Sequence, residues 1–241
     1  IILDIDELEK SVNDSDKSEA QYVIYSFYLH HLYEHVNNIK PNLKDPIYVG
    51  HPFNEVESLN GFFPKEYLRL TKQFYTQNIG LDWGAFLQIM NQINNHKEIT
   101  FKSHVKKSPH HSNIYTKKWV QNIENPIRLN SDGKITKYMI SNKNIGILAS
   151  KLHRDYGIGK NYTTFHKLCN ILEIPLEFRE INYLAGSVLV IRTSIIKELS
   201  SKLNIQLFSN QDYSFDGTYA HALERAIFSY VRSKNYKIAW I

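Results

Sequence analysis

The sequence predicts an α/β fold: a central, mostly parallel sheet flanked by helices. Three observations carry that prediction. Short β-branched and aromatic runs alternate with segments of helical spacing from about residue 20 onward. Turn residues separate the runs. A chain of 241 residues with 42% hydrophobic content is long enough to bury one substantial core.

Taken in order, residues 1–19 read as a polar lead-in, mostly acidic from Asp4 to Glu19, and residues 20–241 as one domain. "QYVIYSFY" (Gln21 to Tyr28) reads as a buried strand. "LHHLYEHVNNI" then places Leu29, Leu32, Val36 and Ile39 on one helical face. "PNLKDP" turns the chain into the strand "IYVG" (Ile47 to Gly50), and "KEYLRLTKQF" reads as helical. After Asn78-Ile79-Gly80 the apolar residues of Leu81 to Ile93 predict a helix, and "EITFKS" a strand. Further on, "NIGILAS" and "GSVLVIR" read as strands, while "TTFHKLCNILEI", "TSIIKELSSKL" and Asp216 to Lys234 read as helices.

Composition narrows the classes. Ten glycines and seven prolines are too few for a collagen-like or low-complexity chain. The one cysteine, Cys169, cannot form an intramolecular disulfide, which fits a reducing compartment. No apolar run approaches the roughly 20 residues that span a bilayer, and no secretory signal is visible. A soluble protein is expected. The net charge of +5 suits a polyanionic or phosphorylated partner without choosing one. No Lys/Arg block forms a nucleic-acid track.

Three constellations could carry chemistry. In the first, Asn78-x-Gly80-x-Asp82 opens a helix: Gly80 can adopt a left-handed backbone, and Asp82 complements the helix dipole. A turn with a helix-start carboxylate would look the same without a ligand. In the second, "HVKKSPHHS" leaves a strand end with His104, Lys106, Lys107 and Ser108, the residue types that cradle phosphate. His110 and His111 are adjacent and cannot easily converge on one ion, so a metal site is disfavoured. A solvated basic loop is the plainer reading. In the third, Asp216-Gly217-Thr218 starts a helix that carries Thr218, His221 and Arg225 on one face, with Glu224 beside them. Tyr219, Leu223, Ala226, Ile227 and Tyr230 lie opposite, as the core side. Asp216 could be an N-cap or a proton acceptor; spacing leaves both open.

In series these segments resemble the rhamnan synthesis F family, glycosyltransferase-like proteins of bacterial surface polysaccharide assembly. "NIGLDWGAF" matches its N-x-G-x-D-x-x-x-F segment, "HVKKS" its H-T-K-K-S strand end, "AGSVLVIR" its A-G-S strand, and "DGTYAHALER" its D-G-T-x-A-H-A-x-E-R motif. Val105 stands where the family has Thr, and the strand after Ser187 lacks the family's Met-Phe-Trp character.

The resemblance implies a GT-A-like single domain and transfer of a sugar, rhamnose by the family's label, from a nucleotide-diphosphate donor to a surface-polysaccharide hydroxyl. It implies Asp216 as base of an inverting reaction, with Glu224 as the fallback base and His221 helping to stabilise the departing diphosphate. Asn78, Gly80, Asp82, His104, Lys106, Lys107, Ser108 and Arg225 would serve the donor, and Gly186, Ser187 and Arg192 the acceptor. In GT-A architectures the fourth strand commonly ends in a metal-binding Asp-x-Asp; here His104-Val105-Lys106 takes that place. Transfer without a metal cofactor is therefore expected, fixed cations neutralising the diphosphate. The expected location is cytoplasmic, peripheral at the inner membrane face, with a lipid-linked glycan or other polysaccharide enzymes as partners and no nucleic acid. A non-catalytic glycan-binding or assembly module is the alternative.

Overall fold

The computed structural model describes residues 1–3, 8, 18–105, 113–208 and 216–241. The strands are β1 (Ala20–Tyr25), β2 (Ile47–His51), β3 (Thr71–Tyr75), β4 (Ile99–His104), β5 (Ile145–Ala149), β6 (Arg154–Asp155), β7 (Tyr183–Leu184), β8 (Leu189–Arg192) and β9 (Lys237–Trp240). The helices are α1 (Leu32–Ile39), α2 (Lys65–Leu68), α3 (Leu81–Gln92), α4 (Asn113–Ile123), α5 (Asn125–Arg128), α6 (Lys134–Ser141), α7 (Tyr162–Ile171), α8 (Thr193–Lys202) and α9 (Tyr219–Ser233).

Among the described residues, seven strands form one sheet in the order β3-β2-β1-β4-β8-β5-β9, and β6 pairs with β7 apart from it. β3, β2, β1 and β4 run parallel, β8 runs against both β4 and β5, and β9 follows β5. The sheet is therefore mostly parallel, with β8 reversed. Its order changes direction beside β1, since β2 lies on one side of it and β4 on the other. In open α/β sheets the crevice beyond the carboxyl ends at such a switch point is the usual ligand position.

Alternation along β4 divides the helices between the two faces. Ser103 meets His35 of α1, whereas the neighbouring Lys102 meets Asp82 of α3 and Thr100 meets Thr193 of α8. The α1 face holds the stacked pair Tyr22 and Phe101, 4.7 Å between ring centroids. Its polar centre is a buried trio, with His35 Nε2 2.5 Å from Ser103 Oγ and Nδ1 3.1 Å from Glu124, at the junction of α4 and α5. These contacts brace the end of β4 from behind.

Three expectations need correction. "TKQFY" is the edge strand β3 and not the continuation of a helix; only Lys65–Leu68 is helical there. The last strand, β9, was not anticipated. At α9, Thr218 is the N-cap, and its Oγ1 accepts from the His221 N–H at 3.3 Å, so Asp216 lies outside the capping position. From the lead-in, Ile2 bridges Trp240, and Leu3 and Leu8 are buried. No helix among the described residues is long and apolar enough to cross a membrane.

Candidate functional site

Lys102 is the centre of the site, and its position follows from strand geometry. It precedes His104 by two residues on β4, so both side chains leave the sheet on the α3 face. The ammonium is fully buried; Nζ lies 2.5 Å from Asp82 Oδ2 and 2.8 Å from Ser187 O. The Trp83 ring lies 4.3 Å away, a cation–π distance. Burial pulls the Lys102 pKa below that of an ordinary lysine, and the Asp82 carboxylate opposes the shift.

Asp82 is delivered by the turn before α3. Gly80 has φ +74, and an added Cβ would lie 2.7 Å from Phe208, so this position requires glycine. One residue into the helix, Asp82 turns toward β4, where its Oδ2 also lies 3.5 Å from His104 Nδ1. Asn78 precedes the turn and accepts from the Tyr25 hydroxyl at 3.3 Å. Tyr25 is the register partner of His104 across β1 and β4. The first motif and the described part of the second therefore meet at the switch point.

The chain of contacts continues through the A-G-S turn. Ser187 has φ +57, a left-handed conformation that costs a non-glycine residue roughly 1–2 kcal/mol. Three side chains hold it there. Lys102 binds its carbonyl, Trp83 Nε1 donates to its Oγ at 3.0 Å, and that Oγ lies 2.8 Å from Glu224 Oε1. Glu224 Oε1 also accepts from the Gly186 N–H at 2.7 Å. Glu224 is thus engaged in holding the turn, with Oε2 3.6 Å from Arg225.

Arg225 closes the chain. Its guanidinium lies 3.6 Å from Asp216 Oδ1, donates to Gly157 O and His221 O, and covers the Tyr183 ring. Asp216 accepts from the Lys160 N–H at 2.9 Å and from the Asn161 side-chain amide. Burial raises the Asp216 pKa, but these bonds and Arg225 outweigh it and hold the carboxyl below its usual range. Gly159 permits this approach, since a Cβ there would collide with Asp216 Oδ2. His221 Nδ1 lies 2.7 Å from Thr218 Oγ1.

One connected network therefore contains Asp82, His104, Gly186, Ser187, Glu224, Arg225 and Asp216. Asn78, Gly80 and His221 adjoin it. Lys106, Lys107 and Ser108, with His110 and His111, lie outside the described residues. Arg192 stands apart. Its guanidinium is buried at the opposite end of the sheet, bonded to the carbonyls of Ile145, Met139 and Asn142 and to Glu98. The structure does not bring it to the acceptor side it was expected to serve. Sequence reading missed Lys102, Trp83 and the Lys160–Asn161 segment. For Lys102 the signal was present: a lysine two residues before His104 in an apolar strand. Among the described residues, no three His, Cys, Asp or Glu side chains are grouped to hold a metal ion.

No protein-family model matches the chain, and no curated protein sequence matches it.

Proposed function

We propose that this protein is a glycosyltransferase of GT-A-like architecture, using a nucleotide-diphosphate sugar as donor and a glycan hydroxyl as acceptor. One observation carries the reading. Motif residues about 140 positions apart, from Asp82 to Arg225, meet in one polar network at the carboxyl-end switch point of a mostly parallel sheet. The motif likeness to the rhamnan synthesis F proteins supports the same assignment on the residues quoted above.

In this reaction the acceptor oxygen attacks the anomeric carbon, and the bond from that carbon to the diphosphate oxygen breaks. The nucleoside diphosphate leaves with the electron pair, and the anomeric configuration inverts. The attacking hydroxyl becomes strongly acidic as the new bond forms, so even a carboxylate of low pKa can take its proton. Asp216 has that role, ionised at neutral pH and held by Lys160, Asn161 and Arg225. His104 and Arg225 supply cationic chemistry for the leaving group, which a preorganised site stabilises without a metal.

A second reading, a glycan-binding or assembly module, draws on one feature. Asp216 and Glu224 each accept bonds from the surrounding chain, as purely structural carboxylates would. A thermal-shift screen against UDP, GDP, dTDP, CDP and their sugars separates the two. Stabilisation by one nucleotide family, followed by release of that nucleotide with an acceptor glycan present, supports the transferase. Glycan binding without any nucleotide response would sink it.

A further inference from the structure

We propose that Tyr156 and Tyr162 form the acceptor platform of the site: two exposed rings, flanking the segment that holds Asp216, on which pyranose units of the acceptor glycan stack. The role of acceptor rests on the transferase reading; what is added is where the receiving sugar lies.

Residues 157–161 reach both Arg225 and Asp216. Gly157 O accepts from Arg225 Nε at 3.1 Å, and the Lys160 N–H and the Asn161 side-chain amide bond Asp216. Asn161 Oδ1 also accepts from the Gly217 N–H at 3.1 Å. Tyr156 immediately precedes these residues and Tyr162 immediately follows them. Each tyrosine is therefore one residue, about 3.8 Å of chain, from a residue that touches the site. In an inverting displacement the base sits beside the attacking hydroxyl, so the surface around Asp216 faces the acceptor. The residues first expected there do other work. Arg192 lies at the far end of the sheet, and Gly186 and Ser187 are bound to Glu224.

Tyr156 is 58% exposed and Tyr162 65%. A single exposed ring is ordinary on a protein surface. These two are held in place. The Arg154 guanidinium lies over the Tyr156 ring, 5.2 Å from its centroid, and is itself fixed by Asn182 Oδ1 at 2.6 Å and by the Trp240 ring. Asp155 Oδ1 accepts from the Tyr156 and Gly157 N–H groups at 2.6 and 2.8 Å. Tyr162 opens α7, with its ring centroid 4.5 Å from that of His166. Rings fixed before binding lose little freedom when a sugar lands on them. A pyranose has an apolar C–H face and a rim of hydroxyls, and tyrosine matches it with an apolar ring and a polar tip.

The experiment uses the full chain with 13C-labelled tyrosine rings, the two signals being assigned by their loss in Tyr156→Ala and Tyr162→Ala. The probes are the methyl glycosides of rhamnose, glucose, galactose and N-acetylglucosamine, with UDP, GDP, dTDP and CDP titrated separately. At least one glycoside is expected to shift both rings. Each alanine variant should weaken that glycoside about three- to tenfold, the scale of one lost ring contact, and leave any nucleotide response unchanged. Tyr75→Ala is the control, because Tyr75 is 53% exposed but lies on β3, at the other edge of the sheet from β5, the strand that leads into this segment. Equal affinity in wild type and both variants would overturn the platform. So would rings that no glycoside shifts, since C–H stacking is common to all four sugars, or rings that a nucleotide shifts in competition with the glycoside. A nucleotide response without ring shifts leaves the transferase reading standing and removes the platform. Glycoside binding on both rings without any nucleotide response does the reverse: the tyrosines remain a glycan site, and the transferase reading falls.

Discussion

Lys102 and Arg192 are buried cations on adjacent strands, each paired with a carboxylate, Lys102 bonded to one backbone carbonyl and Arg192 to three, yet they sit at opposite ends of the sheet. Arg192 pairs in register with Ile99 at the start of β4, whereas Lys102 lies near its end. At the amino end, Arg192 ties the last-turn carbonyls of α6 to β5 and Glu98. Every contact it makes is with local framework. At the carboxyl end, Lys102 shares its carboxylate with a histidine and its carbonyl partner with a strained turn. Burial of a cation is therefore no mark of function by itself. The difference lies in what the counter-ion touches next.

The strongest test of the carboxyl end is Asp216→Asn. Transfer should fall by about 10²- to 10⁴-fold, the usual contribution of a general base, while UDP-sugar affinity stays near that of the wild type. Full activity in the variant would reduce the network to framework, like its counterpart. Arg192→Leu tests the amino end. It leaves three carbonyls and Glu98 without their cation, and should lower stability by about 3 kcal/mol in urea unfolding. Glu98 is half-exposed and can turn to water, which keeps the loss at the low end of the range for broken buried pairs. Pyrophosphate affinity of the folded fraction should not change. A binding defect larger than the stability defect would erase the distinction between the two ends.

Lys102→Met should destabilise by about 2 kcal/mol, because Asp82 loses its partner but retains some solvent access. Lys102→Met with Asp82→Leu should recover most of that stability, since apolar replacement of a whole buried pair is often neutral. Recovered stability without recovered nucleotide affinity is the expected signature of a pair kept for the site. If the double variant binds as well as the wild type, Lys102 is only a second Arg192.

This contrast also explains what could be read from the sequence. β1, β2 and β4 are legible as short β-branched and aromatic runs between turn residues, and α3, α8 and α9 as longer segments of helical apolar spacing. β3 escaped because it is an edge strand: its burial alternates weakly, and Tyr67, Leu70 and Phe74 fit helical i, i+3, i+7 spacing as well. Arg192 was misplaced for a topological reason. It ends a strand that begins at a motif, but β8 is antiparallel, so its start lies near the site and its end lies far away. Strand direction has no local signature. The polar stripe of α9 was legible as a stripe but not as buried; Arg225 is only 7% exposed because Tyr183 and Gly157 cover it. Lys102 needed knowledge of Asp82, which reaches it from another element.

The smallest effect concerns a third buried charge. Asp45 lies just before β2, at the same end of the sheet as Arg192, and no cation bonds it directly among the described residues. Burial pushes its carboxyl up to about 6, against a bond from Ser18 and the more distant charge of Lys97. A raised carboxyl binds protons more tightly in the folded state, so its contribution is fully present below about pH 4 and is lost as pH rises through about 6. Asp216 has the opposite sign: its contribution is present at neutral pH and disappears as pH falls through its depressed folded value. Asp45→Asn should therefore flatten the stability profile between about pH 4 and pH 6 and raise stability at pH 7 by about 1 kcal/mol. Asp216→Asn should change the profile only on the acid side of that window. Urea melts at half-unit pH steps separate the two, and a common slope in both variants would mean that burial, and not the bonded cation, sets the charge state at each end of the sheet.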